Sequence, residues 1–194
     1  MTASSTRGWR NRVSAWLAAV LLCAAAFAHA GAIEPQRAAL VPTEDGYALS
    51  AEFAIDLGAR LEEAVARGLP LYFVVEFDLT RARWYWVNEH VVDRRLEYRL
   101  AYNALTRQYR LSLGALHQNF DSLPEALRVV SRIAALPVAD RALLKPGEVY
   151  NAALRLSLDR SQLPKPLQVD ALANREWQVD TKVLRWQFTA PEGK

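Results

Sequence analysis

Two groups of acidic residues, one of them with a histidine, are the first candidates for chemistry. The stretch Glu89–Asp93 holds two acids and a histidine, which could supply a general acid or base. Glu76, Asp78 and Asp159 could form paired carboxylates of the kind that hydrolyse glycosidic bonds, but their spacing does not require them to meet. We interpret Glu89–Asp93 as a polar loop between two strands, since acidic residues and histidines are common in loops whatever their role.

Other catalytic and ligand-binding patterns are missing from the sequence. After residue 30 the chain has two histidines, His90 and His117, and no cysteine, because Cys23 is the only cysteine of the full sequence. There is no Gly-x-Ser-x-Gly elbow, no phosphate-binding loop and no Gly-x-Gly-x-x-Gly motif. We therefore expect the protein not to be an enzyme, and we predict no catalytic residue, no metal ligand and no cofactor.

The tryptophans say more about function than the carboxylates do. Trp84 and Trp86 share one face of a predicted strand and Tyr85 lies on the other, while Trp177 and Trp186 occur near the end of the chain. Rings on a solvent-facing surface could stack on sugars or receive a protein partner. The alternative is that these rings close the core or plug a sheet edge, because aromatic residues favour strands in any case.

The first thirty residues resemble a secretory signal peptide. Three arginines without an acid precede an uncharged apolar run of 16 residues, Val13–Ala28. Ala28 and Ala30 then form a small-x-small cleavage site before Gly31. The run is shorter than the ~20 residues of a spanning helix. We expect export to the periplasm with cleavage after Ala30; the alternative is an uncleaved anchor in the inner membrane, the protein's only membrane contact.

The length and net charge of the chain narrow the possible classes of protein and of partner. The chain has 194 residues, 52% of them hydrophobic, which suits one globular domain. Of its 24 basic residues, three lie in the predicted signal, and removal of that segment leaves 21 bases against 21 acids. Because binding to a phosphate backbone needs a surplus of clustered Lys and Arg, nucleic acid is not an expected partner.

Most of the remaining chain alternates between apolar and polar residues. This period of two predicts six or seven half-buried strands, one of them running from Leu71 into Trp84–Trp86. Helical spacing is limited to two segments, Leu61–Val65 and Leu123–Ala134. The fold class is therefore mainly β, an antiparallel β-sandwich with two short helices, and the alternative is an α+β fold.

The element boundaries follow from local signals. The first helix is expected to end at Gly68. The second is expected to begin at Ser122, with a capping box that includes Glu125, and to stop at Pro137. Residues 31–46 are polar and interrupted by proline, so we predict a flexible leader followed by a single domain over residues 47–190.

Four residues near the end of one predicted strand are candidate structural or interaction residues. Arg155 and Asp159 flank the end of the strand, where a carboxylate can accept backbone N–H groups and hold a turn. We therefore expect structural roles for both. Pro164 and Pro166 lie in an extended connector, which is a natural docking surface.

The pattern from Trp84 onward resembles an uncharacterised proteobacterial family, the domain of unknown function 4390. The resemblance extends from about Tyr47 to Phe188. The matching features are Arg95–Tyr102, Tyr109, Tyr150–Asp159, Leu163–Leu167, Trp177 and Trp186. The resemblance implies an N-terminal signal or anchor, a single domain and, for many members, proximity to a sensor kinase of the nitrogen-regulation type; it implies no activity and no catalytic residue.

Two functions from different classes remain at this stage. The first is a non-catalytic periplasmic interaction module of the cell envelope, with a sensor kinase as one candidate partner. The second is a carbohydrate-binding or carbohydrate-active protein that uses surface tryptophans and carboxylates.

Overall fold

The computed structural model describes residues 31–82, 89–165, 177 and 179–191. Its strands are β1 (Gly31–Pro42), β2 (Gly46–Asp56), β3 (Leu71–Arg81), β4 (Glu89–Asn103), β5 (Gln108–Leu113), β6 (Leu116–Phe120), β7 (Arg132–Asp140), β8 (Val149–Leu158), β9 (Val179–Thr181) and β10 (Leu184–Thr189). Its helices are α1 (Gly58–Ala66) and α2 (Leu123–Val130), with single 3-10 turns at Arg141–Leu143 and Arg160–Gln162.

The strands form two sheets that face each other. The four-stranded sheet has the order β7-β2-β1-β9, and the six-stranded sheet has the order β10-β8-β3-β4-β5-β6. Neighbouring strands are antiparallel except β1 and β9, which pair in parallel from Gly31 with Val179 to Ile33 with Thr181. The predicted mainly β fold with a sandwich-like arrangement is confirmed.

The core forms where alternation is clearest. In β3, Phe73 and Phe77 are fully buried, whereas Glu76 and Asp78 lie on the outer face. In β8, Leu154 and the other even-numbered residues are buried in the same way. Each buried Leu or Phe side chain contributes roughly 1.5–3 kcal/mol, so these two central strands supply much of the stability. The predicted continuation of β3 into Trp84–Trp86 lies outside the described residues.

The predicted flexible leader is wrong for residues 31–42, because they form β1 at the centre of the four-stranded sheet. Ile33 and Leu40 are buried in the core. A register shift between Pro35 and Arg37 changes the phase of the alternation within the strand. That bulge, together with the proline, removes the regular pattern by which a strand is recognised.

The second helix is shorter than predicted. It ends at Val130, and Arg132–Asp140 is strand β7 instead of a continuation to Pro137. Ser122 is the N-cap residue but makes no side-chain cap bond, so the predicted capping box does not form. Ile133 lies opposite Ala51 in the four-stranded sheet and is buried. Its burial therefore reflects strand pairing, whereas its spacing along the chain also fits a helix.

The two helices pack against the side of the six-stranded sheet formed by β4, β5 and β6. Helix α1 contacts β4, and α2 contacts β5, β6 and β7. Gly68 follows α1 with a φ of 93°, and its N–H donates to the carbonyl of Val65 while that of Leu69 donates to Ala64. This arrangement is a Schellman motif, which agrees with the predicted end at Gly68. Within the described residues, neither helix has the length and apolar character needed to cross a membrane.

Candidate functional site

A cleft of about 870 Å³ separates α1 from α2 and is the candidate functional site. Ala59, Glu62 and Ala66 line one wall, on α1, and Leu127 with Arg128 lines the other, on α2. Phe53 and Ile55 from β2 and Tyr109 from β5 also line it, as does the Asp121–Pro124 segment at the start of α2. We call this space the helix cleft.

The floor of the helix cleft is aromatic because of the strand register. Tyr109 lies opposite Tyr102 on β4 and opposite Phe120 on β6, so the three rings occupy one cross-strand row on one sheet face. The ring centroids of Tyr102 and Tyr109 are 4.9 Å apart with a 49° tilt. Such pairs add to the stability gained from burial alone. Tyr109 is the member of this row that lines the cleft, and the two neighbouring rings support it from either side.

The rim of the helix cleft carries more acid than base. Glu63 is paired with Arg67, at 2.6 Å between Oε1 and Nη2. Glu62 and Asp121 have no ion-pair partner among the described residues, although Asp121 accepts a hydrogen bond from Gln108. The pKa of Tyr109 is raised, first by burial and then by the nearby Tyr102 phenol and the charge of Glu62. The cleft therefore combines an apolar floor with a negative potential, which suits an apolar group that also carries a cation.

Trp177 belongs to a second, smaller pocket of about 480 Å³. The residue is only 5% exposed, and the Arg60 guanidinium lies 5.7 Å from its ring centroid in a cation–π contact. Pro164 lines the same pocket, whereas Pro166 lies outside the described residues. Trp177 thus packs between α1 and the connector and offers no ring face to a sugar.

Among the other tryptophan and signal residues singled out from the sequence, the structure describes Trp186 and Gly31. Trp186 is half-buried on β10, with its ring 6.2 Å from that of Phe77. Gly31 is buried at the start of β1. The remaining predicted residues, Trp84, Trp86, Ala28 and Ala30, lie outside the described residues.

The three carboxylates Glu76, Asp78 and Asp159 do not come together. Glu76 and Asp78 lie on the outer face of the six-stranded sheet, but Asp159 follows β8 beside Tyr72, six positions along β3 from Asp78. At about 3.3 Å per residue, this places Asp159 and Asp78 roughly 20 Å apart. Among the residues that the structure describes, no group of three or more His, Cys, Asp or Glu side chains could hold a metal ion.

The charged outer-face residues pair with one another across the strands. Arg155 on β8 and Arg95 on β4 both lie opposite Glu76, with nitrogen–oxygen distances of 3.8 and 3.2 Å. His90 Nδ1 lies 4.0 Å from Asp78 Oδ1. Glu89–His90 forms the first part of β4 and is not the predicted loop. These groups form a solvated ladder on a flat sheet face.

Asp159 holds the turn that follows β8. Its Oδ1 accepts hydrogen bonds from the Ser161 N–H at 3.0 Å and the Ser161 hydroxyl at 2.6 Å, and it is the N-cap residue of the 3-10 turn Arg160–Gln162. Its own N–H donates to the Tyr72 carbonyl. This geometry matches the turn-holding arrangement expected from the sequence.

The residues of the helix cleft were missed because they are distant in sequence. One local signal is present, since the turn after Asn103 places Tyr102 and Tyr109 on either side of a hairpin. The Asn103 side chain does accept from the N–H groups of Leu105 and Thr106, as a turn residue should. The approach of α1 and α2 depends on tertiary packing and has no comparable signal.

Comparison with known proteins places the chain in a family and gives no function. No curated protein and no solved structure matches it. A family model matches residues 30–187, which include every described strand except the last residues of β10. The chain belongs to the family described as "Domain of unknown function (DUF4390)".

Proposed function

We propose that this protein is an exported, non-catalytic interaction module of the cell envelope that binds a segment of a partner protein in the helix cleft. The observation that carries the proposal is the cleft itself, with its floor at Tyr109 and two rim carboxylates, Glu62 and Asp121, that have no ion-pair partner among the described residues. Grooves between packed helices commonly receive peptide segments by their apolar side chains.

The chemistry of the cleft defines the partner segment. Its volume of about 870 Å³ accommodates several side chains, and its floor and α2 wall are apolar at Phe53, Tyr109 and Leu127. A Lys or Arg on the segment would meet Glu62 and Asp121, while Arg128 would face an acidic group. Complementary charges of this kind increase association rates and select among partners more than they add affinity.

The cellular setting of the proposal comes from the N-terminal sequence. Residues 1–30 have the charge, apolar run and Ala28-His29-Ala30 site of a secretory signal, which supports export to the periplasm. A sensor kinase of the envelope is the partner class that the family resemblance suggests. Carbohydrate binding is less well supported, because Trp177 is buried and Trp186 packs against Phe77.

Site-specific photo-crosslinking in the native envelope tests the proposal. A photoreactive amino acid replaces Ala66, which lines the cleft and is exposed. The matched control is Ala54, an exposed alanine of β2 that points away from the sandwich. We expect a discrete protein adduct, identified by mass spectrometry, at position 66 and none at position 54.

A charge reversal completes this test. Glu62→Lys should abolish the adduct at position 66, whereas Glu97→Lys, on the outer face of β4, should preserve it. Both glutamates are exposed, so neither change should alter folding, and circular dichroism checks this. Absence of an adduct at position 66, or an adduct that persists in Glu62→Lys, overturns the assignment of the cleft.

A further inference from the structure

We propose that two copies of this chain pair through antiparallel addition of β6 to β6, so that their six-stranded sheets join into one. The proposal rests on the edge strand and not on the helix cleft. A strand at a sheet edge presents unpaired N–H and C=O groups and recruits another strand unless it is protected.

The β6 edge lacks the protection that the other edges have. Strand β7 contains Pro137 and two register shifts against β2, β9 has three residues, and β10 carries Arg185. Strand β6, Leu116–Phe120, contains no Lys, Arg, Asp, Glu or Pro and pairs with β5 without a register shift. In the part of the chain that the structure describes, no strand covers its far side.

The sequence of β6 is complementary to itself when two copies run antiparallel about Gln118. Leu116 of each copy then lies opposite Phe120 of the other, and His117 lies opposite Asn119. On one face Leu116 meets Phe120 on either side of the paired Gln118 side chains, and on the opposite face His117 meets Asn119. Gln118 meets its own copy on the two-fold axis. A two-fold interface requires this kind of self-complementarity.

The hydrogen-bond phase of the β5–β6 hairpin agrees with this register. Gly114 has a φ of 57° and begins a two-residue turn with Ala115, so the turn's hydrogen bond joins Leu113 and Leu116. Hydrogen-bonded pairs alternate along a hairpin, which makes Leu111 with Gln118 the next bonded pair. The main-chain groups of His117 and Asn119 therefore point to the free edge. In the proposed pair they bond to each other across the axis.

Pairing would also cover an exposed apolar side chain. Leu116 is 75% exposed, although its side chain is large and apolar. In the pair it lies against Phe120 of the second copy, and Phe120 is next to Tyr109 in the aromatic row of the cleft floor. Because α2 contacts β5 and β6, one α2 would lie on each side of the axis.

Sedimentation equilibrium of the full chain, exported with its own N-terminal segment, tests the pairing. We expect the wild type to be a dimer and Gln118→Lys to be a monomer, because two lysines would then face each other on the axis. Gln187→Lys is the matched control: Gln187 is also an exposed glutamine of an edge strand, in β10, and this variant should remain a dimer. A monomeric wild type, or a dimer that Gln118→Lys leaves intact, overturns the proposal.

Disulfide trapping gives a second measurement that does not depend on a disruptive change. In a Cys23→Ala background, Gln118→Cys introduces the only thiol of the chain. Directly opposed, non-hydrogen-bonded residues have Cβ atoms about 4.5–5.5 Å apart, which is close to the geometry of a disulfide. Mild oxidation should give a covalent dimer with Gln118→Cys and none with Gln187→Cys. Equal cross-linking at both positions would mean random collision and would contradict the proposed register.

Discussion

Arg81 at the end of β3 and Glu148 just before β8 form an ion pair, with 2.7 Å between Nη1 and Oε2, although 67 positions separate them in sequence. The same guanidinium bonds through Nε to Glu89 at the start of β4, at 3.1 Å. Glu148 also accepts a hydrogen bond from the Tyr150 hydroxyl. One arginine thus joins the ends of three neighbouring strands, and the pKa of Arg81 is raised mainly by its hydrogen bond to Glu148.

The first prediction concerns the pH dependence of this cluster. The pKa of Glu148 is lowered, chiefly by its hydrogen bond from Arg81. Its contribution to stability is therefore fully present above the ordinary glutamate pKa of about 4.3 and is lost as the pH falls through the lowered folded value. Glu148→Gln should lower the melting temperature at pH 7 and have little effect below both pKa values. Thermal unfolding across this pH range measures the difference, and Glu97→Gln serves as an exposed control.

The second prediction concerns the turn after β8. Asp159→Ala removes the acceptor for the Ser161 N–H and hydroxyl and should destabilise the protein by about 1 kcal/mol. Asp159→Asn keeps an acceptor oxygen and should lose less. Urea denaturation measures both variants, and any loss of cellular function should follow protein abundance. A functional loss at unchanged stability and abundance would instead assign Asp159 to binding or catalysis.

The third prediction separates the core from the sheet edge. Phe77→Ala empties a site that is 1% exposed and should cost about 3–5 kcal/mol. Trp186→Ala removes a ring that packs on Phe77 but is only partly buried, so about 1–3 kcal/mol is expected. Trp186→Phe should recover part of the loss. Equal costs for the two alanine variants in chemical denaturation would contradict this partition.

The fourth prediction concerns backbone strain at the bend within β7. Ala135 has a φ of 49°, a conformation that disfavours residues with a Cβ atom. Ala135→Gly should therefore stabilise the protein by roughly 0.5–1 kcal/mol, after the entropic cost of glycine is subtracted. Ala134→Gly, at the neighbouring exposed alanine with an ordinary φ, should destabilise it. The two free energies of unfolding should have opposite signs relative to the wild type.

The fold was predictable where each strand has one buried and one solvated face. Phe73 and Phe77 alternate with Glu76 and Asp78 because one face of β3 packs on the other sheet. The same argument failed for β1, where the bulge at Pro35–Arg37 shifts the phase of the pattern. It also failed for β6, whose residues are mostly exposed and show no apolar face.

The candidate site was less predictable than the fold. Ile133 follows Val130 at helical spacing, so the sequence alone favoured a longer α2 and hid β7. A prediction that lacks β7 and extends α2 through it cannot show where α2 packs against β5, β6 and β7. It therefore cannot locate the helix cleft either. Glu62 and Tyr109 meet only through packing of α1 over the β4–β5 hairpin, which involves no local sequence signal.

The parallel pairing of β1 with β9 has a consequence for the order of assembly. Gly31 pairs with Val179, and Lys182 bonds to Glu34 across 148 positions of the chain. A chain that crosses a membrane from its N-terminus exposes β1 long before β9 has emerged, and closing so long a loop is slow. For the export proposed above, the four-stranded sheet would therefore be completed only late in translocation. Gly31 is buried once folding ends, so on that proposal cleavage before Gly31 would have to precede completion of the sheet.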